Sequence, residues 1–311
     1  MLPEPTMKTR IGAVVLAGLL AGCGVSDVEV TEAPSGSDAT AEETGELSTR
    51  TNSYIVFRRD YRRCVSPMCG GYWVRDVNRT TLREAYVSGF DFTPSGLTEE
   101  TQGKVTEARE GEVVLRGRLG PLETRFNTRT FLVAEAFRGM PGVTVASTDT
   151  FYTVERAPEI RCITAPCPDL RARRIHFSAT SLFHQVDVAR ASKPMVDRGW
   201  VANRVTNQGA VVAARFVTRG RETVLDVGQV FMRLPEPFQS CPRVSIQQCA
   251  AGYTLSWVRN EDRCLMPAGC VPAVTCPQIR PSCEADYSPM AWSAGPRACA
   301  RFACDPQWVT N

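Results

Sequence analysis

The chain has 311 residues, with 36 Lys+Arg against 33 Asp+Glu and a formal net charge of +3. So slight an excess excludes a dedicated nucleic-acid binder, whose contact face needs a dense basic stripe. Thirteen cysteines beside only two histidines suit paired thiols in an oxidising compartment better than zinc ligation.

In chain order, residues 7–24 come first and read MKTRIGAVVLAGLLAGCG. Lys8 and Arg10 precede an eleven-residue apolar run, Ile11 to Ala21. As a helix this run would reach about 16 Å, half of a bilayer core. It therefore predicts a secretory signal rather than a membrane span. Leu20-Ala21-Gly22-Cys23 resembles a bacterial lipobox, the alternative being an ordinary signal peptide with Cys23 as a bystander. The resemblance implies removal of residues 1–22, a diacylglycerol on the Cys23 thiol and acylation of its new amine. Two or more acyl chains suffice for stable anchoring, each buried CH₂ contributing about 0.8 kcal/mol. Parity agrees, since twelve cysteines then remain for six disulfides. Residues 23–52 predict a disordered acidic tether. From Gly24 to Asn52 seven acids stand against Arg50, with almost no large apolar residue after Val30, too little to repay ordering.

The body reads as two copies of one unit, 53–150 and 151–236. SYIVFRRDYRRCVSPMCGGYWVRDVN from Ser53 aligns with FYTVERAPEIRCITAPCPDLRARRIH from Phe151 at a constant offset of 98. Cys64 meets Cys162, Cys69 meets Cys167, and Arg75 meets Arg173. GFDF at 89–92 answers QVDV at 185–188, and GEVVL at 111–115 answers GAVVA at 209–213. Tandem duplication is the reading. Within a copy, YIVF, GYWVRDV, AYVSGFDF, EVVLRGRL and TFLVAEAF predict strands, and Leu97 to Ala108 a short helix. The fold class predicted is mainly β. Each copy is expected as a small barrel resembling an OB-fold, or as a half-open sandwich.

The C-x₄-C pairs, Cys64/Cys69 and Cys162/Cys167, fall at predicted hairpin tips. A metal site would need more ligands than the region holds, and a thioredoxin-type redox pair needs C-x-x-C. A disulfide closing each loop is the simplest reading, at about 2 kcal/mol; pairing between the two copies is the rival. The run RRC-x-SPMCGGYWVR-x-VN resembles a family of myxobacterial lipoproteins that carry a domain of unknown function. The resemblance covers about residues 53–236 and implies export and β-rich modules, but no activity.

Residues 237–311 hold eight cysteines in two sub-repeats: Cys241, Cys249, Cys264 and Cys270, then Cys276, Cys283, Cys299 and Cys304. So short a chain cannot build a sufficient core, which predicts a disulfide framework with three connectivities open in each copy. The C-x-x-G-Y of the first copy is faintly similar to antistasin-type inhibitor modules, but Gly252 becomes Asp286 in the second.

No H-E-x-x-H, G-x-S-x-G or glycine-rich phosphate loop occurs. His176 and His184 align with Asn78 and Ser88, so a structural role is the plainer reading for both. The matching Asp91 and Asp187 read as turn residues before a carboxylate pair. Residues 53–235 hold 27 Lys+Arg against 19 Asp+Glu, mostly arginine, which binds carboxylate or phosphate in bidentate fashion. These observations imply an exported, lipid-anchored envelope protein of binding or structural type. No catalytic residue, cofactor or metal is expected. The partners expected are the outer membrane through Cys23 and an anionic envelope polymer or a protein. A protease inhibitor acting through the tail and an extracytoplasmic hydrolase are the alternatives.

Overall fold

The structure, a computed structural model, describes residues 51–79, 84–158, 165–237, 240–276, 281–292 and 299–309. In the first half, β1 (Asn52–Arg59), β2 (Tyr72–Asp76), β3 (Ala85–Val87) and β4 (Gly89–Asp91) precede α1 (Glu99–Thr106), β5 (Val113–Leu119) and β6 (Thr130–Gly139). The second half repeats that order: β7 (Thr150–Arg156), β8 (Leu170–Arg174), β9 (Thr180–Phe183), β10 (Gln185–Asp187), α2 (Arg198–Asn207), β11 (Val211–Arg219) and β12 (Glu222–Leu234).

The protein is mainly β, but the small barrels expected do not form. Both halves lie in one twelve-stranded sheet of order β3-β2-β1-β5-β6-β12-β11-β7-β8-β9, with β4 parallel to β6 and β10 parallel to β12. The strand order of one half is therefore the mirror of the other along the sheet. The seam is the antiparallel pairing of β6 and β12, with Ala136 to Gly139 opposite Leu234 to Phe231. Beyond the stretches that β4 and β10 cover, each strand would otherwise present an unpaired edge, and the seam pairs the two. The segment AYVSGFDF, read as one strand, is two. Ser88 N–H donates to Arg129 O at 2.8 Å, which ends the pairing with β2 and sends β4 alongside β6.

Side chains alternate across the sheet as the pleat requires. Val113 and Leu115 of β5, with Phe131 and Val133 of β6, enter the larger core, which also contains Val105 of α1 and Trp200, Val201 and Val205 of α2. Val114, Phe137, Phe231, Phe151, Val211 and Ile55 form a smaller core on the opposite face. The helices start where capping is available. Thr98 Oγ1 accepts from Thr101 N at 3.4 Å, and Asp197 Oδ1 accepts from Gly199 N and Trp200 N at 3.0 and 3.2 Å.

The tail forms two hairpins, β13 (Tyr253–Arg259) with β14 (Leu265–Pro272) and β15 (Tyr287–Trp292) with β16 (Arg301–Pro306). In each, the first cysteine bonds the third and the second bonds the fourth: Cys241–Cys264 and Cys249–Cys270, then Cys276–Cys299 and Cys283–Cys304. The separations, 23 and 21 residues, are the same in both. The hairpins are tied to the body by a buried ionic cluster. Arg259 and Arg263 of the tail pair with Asp305, and Arg263 and Arg204 of α2 both reach Glu236. Among the described residues no helix is long and apolar enough to cross a membrane.

Candidate functional site: an arginine cleft between the halves

β2 and β8 each end in a tight turn. Val77 N donates to Ser53 O and Ile175 N to Phe151 O, both at 3.1 Å. The next residue in each turn has positive φ, Asn78 at 61° and His176 at 69°. Asparagine tolerates that region well, and histidine more than most residues. Each side chain then reaches into the other half. Asn78 Oδ1 accepts from Phe151 N at 2.7 Å, and its Nδ2 donates to Phe151 O and Ile175 O at 2.8 and 3.1 Å. His176 Nε2 lies 3.1 Å from Ser53 O and 3.4 Å from Ser53 N, with Asp76 Oδ1 at 3.7 Å.

Beside this double clasp is a cavity of about 670 Å³ lined by Arg79, Arg116, Arg173, Arg174 and His176 among others. The sheet register brings two of the arginines there: Arg116 lies opposite Ser53, and Arg173 opposite Thr153. Arg79 and Arg174 flank the two turns. Compensation is incomplete. Arg116 pairs with Glu135 at 2.9 Å, but Glu135 also serves Arg233 at 2.8 Å. Arg173 reaches Glu155 only at 4.0 Å, and Arg171 shares that carboxylate at 3.3 Å. The Arg174 guanidinium stacks 4.1 Å from the Phe177 ring, while its Nε is buried without a hydrogen-bond partner among the described residues. Such planar donors, partly desolvated, suit a carboxylate or phosphate taken in bidentate fashion. By contrast, the cavity of about 550 Å³ beside α1 mixes both signs, and its Lys104 is already paired with Glu100 at 3.1 Å.

Of the residues singled out by sequence, His176 lines this cavity and the others lie elsewhere. Cys64 and Cys69 are bonded to each other in the loop between β1 and β2, which closes with Asp60 N donating to Gly71 O at 2.9 Å. The equivalent loop closes with Ala157 N donating to Asp169 O at 2.8 Å. There Cys167 is disulfide-bonded, while Cys162, like Cys23, lies outside the described residues. Asp91 Oδ1 accepts from Thr93 N and Asp187 Oδ1 from Ala189 N, both at 2.9 Å. The Thr93 side chain first, and its backbone N–H second, hold the Asp91 carboxyl below its ordinary range; the Ala189 N–H and the neighbouring Arg219 do so for Asp187. His184 Nδ1 accepts from Thr223 N at 3.0 Å, so its Nε2 carries the proton and donates to Pro166 O at 3.2 Å. Both ring nitrogens are spent on backbone. The cleft itself escaped sequence reading. Its one local signal is the run Arg171-Ala172-Arg173-Arg174, and the remaining arginines come from distant segments.

Five disulfides join described residues, which marks an extracytoplasmic protein. An uncharacterized protein of Dictyostelium discoideum is 24% identical over 274 residues, covering 86% of this chain and 92% of the relative. No solved structure matches. The family model described as "Domain of unknown function (DUF6748)" matches residues 53–232, more than half of the chain and nearly the whole of the twelve-stranded sheet. That unit takes in both halves rather than one, and by it the chain belongs to the DUF6748 family.

Proposed function

We propose that the protein is an exported envelope lipoprotein of non-enzymatic binding type, anchored through Cys23, whose arginine cleft takes an anionic envelope polymer. The observation that carries this reading is the partly desolvated guanidinium of Arg174, its Nε without a partner among the described residues, at the wall of a cavity with three further arginines. The shared element order of the two halves supports it too, because the cleft lies where their matching turns at Asn78 and His176 meet. A catalytic reading finds no such support: His184 has both nitrogens engaged, and Asp91 and Asp187 cap turns. Outer-membrane sorting rests on Gly24 following Cys23, by analogy.

The test uses two polyanions, inorganic polyphosphate and polygalacturonate, titrated against the mature chain at low and high salt. Saturable binding that weakens with salt is expected for at least one of them. Replacing Arg79 and Arg174 together by glutamine should lower affinity roughly tenfold while the fold is kept. Absence of binding at low salt, or full binding by the double variant, overturns the cleft assignment. The anchor is tested separately: Cys23→Ser should abolish fatty-acid labelling and leave an unprocessed precursor.

A further inference from the structure

The loop between β1 and β2 presents an unusual tip. Tyr61 is 73% exposed, Val65 74% and Met68 46%, although this is a folded loop with several internal restraints. The Cys64–Cys69 bond closes it. Met68 N donates to Val65 O at 3.1 Å. Arg62 Nε and Nη2 grip the two Asp60 oxygens at 2.9 and 2.8 Å, and Nη2 also donates to Met68 O at 3.4 Å. A loop so pinned cannot turn its apolar side chains inward, so the exposed surface is a permanent feature. Charge surrounds it on the hairpin stem. From Arg58 to Gly71 there are four arginines and one aspartate, a net of +3. Arg58 lies 4.7 Å from the Trp73 ring and Arg59 5.5 Å from the Tyr72 ring, stacked at the loop end of the stem.

We infer that this hairpin tip is a second membrane contact, inserting Tyr61, Val65 and Met68 into the interface of an anionic bilayer while the arginines meet phosphate head groups. Side chains this exposed at a loop tip need no shaped pocket opposite, and a bilayer interface offers none. Apolar side chains ringed by arginine are the chemistry that an anionic lipid surface rewards. The location fits as well. β1 runs from the cleft, where Ser53 sits, to Arg59 at the foot of the loop, and its eight residues span about 26 Å. A docked tip would thus hold the arginine cleft clear of the head groups, open to a polymer.

The experiment uses residues 24–311, exported behind a cleavable signal so that no acyl chain contributes. Flotation is measured with vesicles of phosphatidylglycerol and phosphatidylcholine, and with phosphatidylcholine alone. Binding to the anionic vesicles that falls with salt is expected. Val65→Ser with Met68→Ser should reduce the partition coefficient at least roughly tenfold. Arg58→Gln with Arg63→Gln should reduce it by roughly tenfold and flatten the salt dependence. Arg79→Gln with Arg174→Gln, in the cleft, should leave flotation unchanged. Circular dichroism and a non-reduced peptide map establish that each variant is folded. Absence of flotation by the unaltered chain, full flotation of the Val65/Met68 variant, or loss of flotation in the cleft variant each overturns the assignment.

Discussion

Asn78 and His176 stand 98 positions apart, both at positive φ, and each bonds the first strand of the opposite half: Asn78 to Phe151, His176 to Ser53. Phe151 and Ser53 are themselves 98 apart. One turn, used twice, therefore makes both sides of the junction, and the two side chains differ while the role is kept. Asn78 makes three well-formed bonds, whereas the His176 contacts are longer. The two clasps should thus be unequal in energy.

Asn78→Ala removes three half-buried hydrogen bonds and puts a β-carbon without a compensating side chain at a φ of 61°. A loss of about 2–3 kcal/mol is expected in denaturant unfolding. Asn78→Gly relieves the backbone and loses the same bonds, so it should fall between alanine and the native residue. His176→Asn should be tolerated, because asparagine already fills the matching place in the first half. An alanine variant as stable as the native chain would mean that the clasp contributes nothing.

Asp60 links the hairpin loop to pH. The Arg62 guanidinium holds its carboxyl down to about 2, from an ordinary 3.8. A carboxyl with a depressed folded-state value contributes stability that is fully present above its unfolded value. That contribution fades as pH falls from about 4 toward 2. Protease nicking of residues 60–71 should therefore rise across that window, and Asp60→Asn should be nicked readily at neutral pH with a flatter acid response. A native loop equally resistant at pH 2.5 and pH 6 would count against the ion pair.

Much of the sheet was legible before any coordinates. The alternation of Val113, Val114 and Leu115 separates two faces, and the constant offset of 98 anticipates the shared element order. The β6–β12 seam was not legible, because the last strand of each copy reads the same whether it ends a module or joins two. Its pairing partner is chosen by long-range contact between Phe137 and Phe231 on one face and Ala136 and Met232 on the other. Ser88 escaped for a related reason: a single exchange of backbone partner, to Arg129, divides a continuous β-like run. The cleft arginines escaped because three segments meet only once the halves fold together.

The ionic cluster under the tail should behave as a clamp. Arg259 and Asp305 have side chains 5% and 4% exposed, and Arg263, whose guanidinium burial pulls downward in pKa, lies against the same carboxylate. Asp305→Ala would leave two desolvated arginines with too little negative charge. Removing one member of a buried pair costs about 3–5 kcal/mol. Asp305→Ala should therefore loosen the β15–β16 hairpin from the β13–β14 hairpin, seen as faster amide exchange over Tyr287–Trp292 and Arg301–Pro306. Replacing Arg259 and Asp305 together by Met and Leu should recover much of the loss, since a buried pair can be exchanged for apolar volume. If the double variant is no better than Asp305→Ala, the damage is one of packing rather than unpaired charge.

The disulfides differ in what they should contribute, and loop length sets the order. Cys64–Cys69 closes a separation of 5 residues, and Cys249–Cys270 one of 21. In the chain-entropy account these correspond to about 2 and about 3 kcal/mol. The surroundings widen the gap. The 60–71 hairpin is continuous with a twelve-stranded sheet and keeps its strand pairing without the bond. Among the described residues the β13–β14 hairpin has no sheet neighbour beyond its partner, and two strands alone are marginal in water. Replacing Cys64 and Cys69 by serine should therefore lower stability modestly and leave the rest of the chain folded. Replacing Cys249 and Cys270 should melt the first tail hairpin, seen as rapid amide exchange over Tyr253–Pro272, while exchange in β5, β6, β11 and β12 stays slow. A non-reduced peptide map of the native chain should recover Cys241 with Cys264 and Cys249 with Cys270. Recovery of Cys241 with Cys249 instead would refute the interlocked order and, with it, the expectation that losing one bridge opens the whole hairpin.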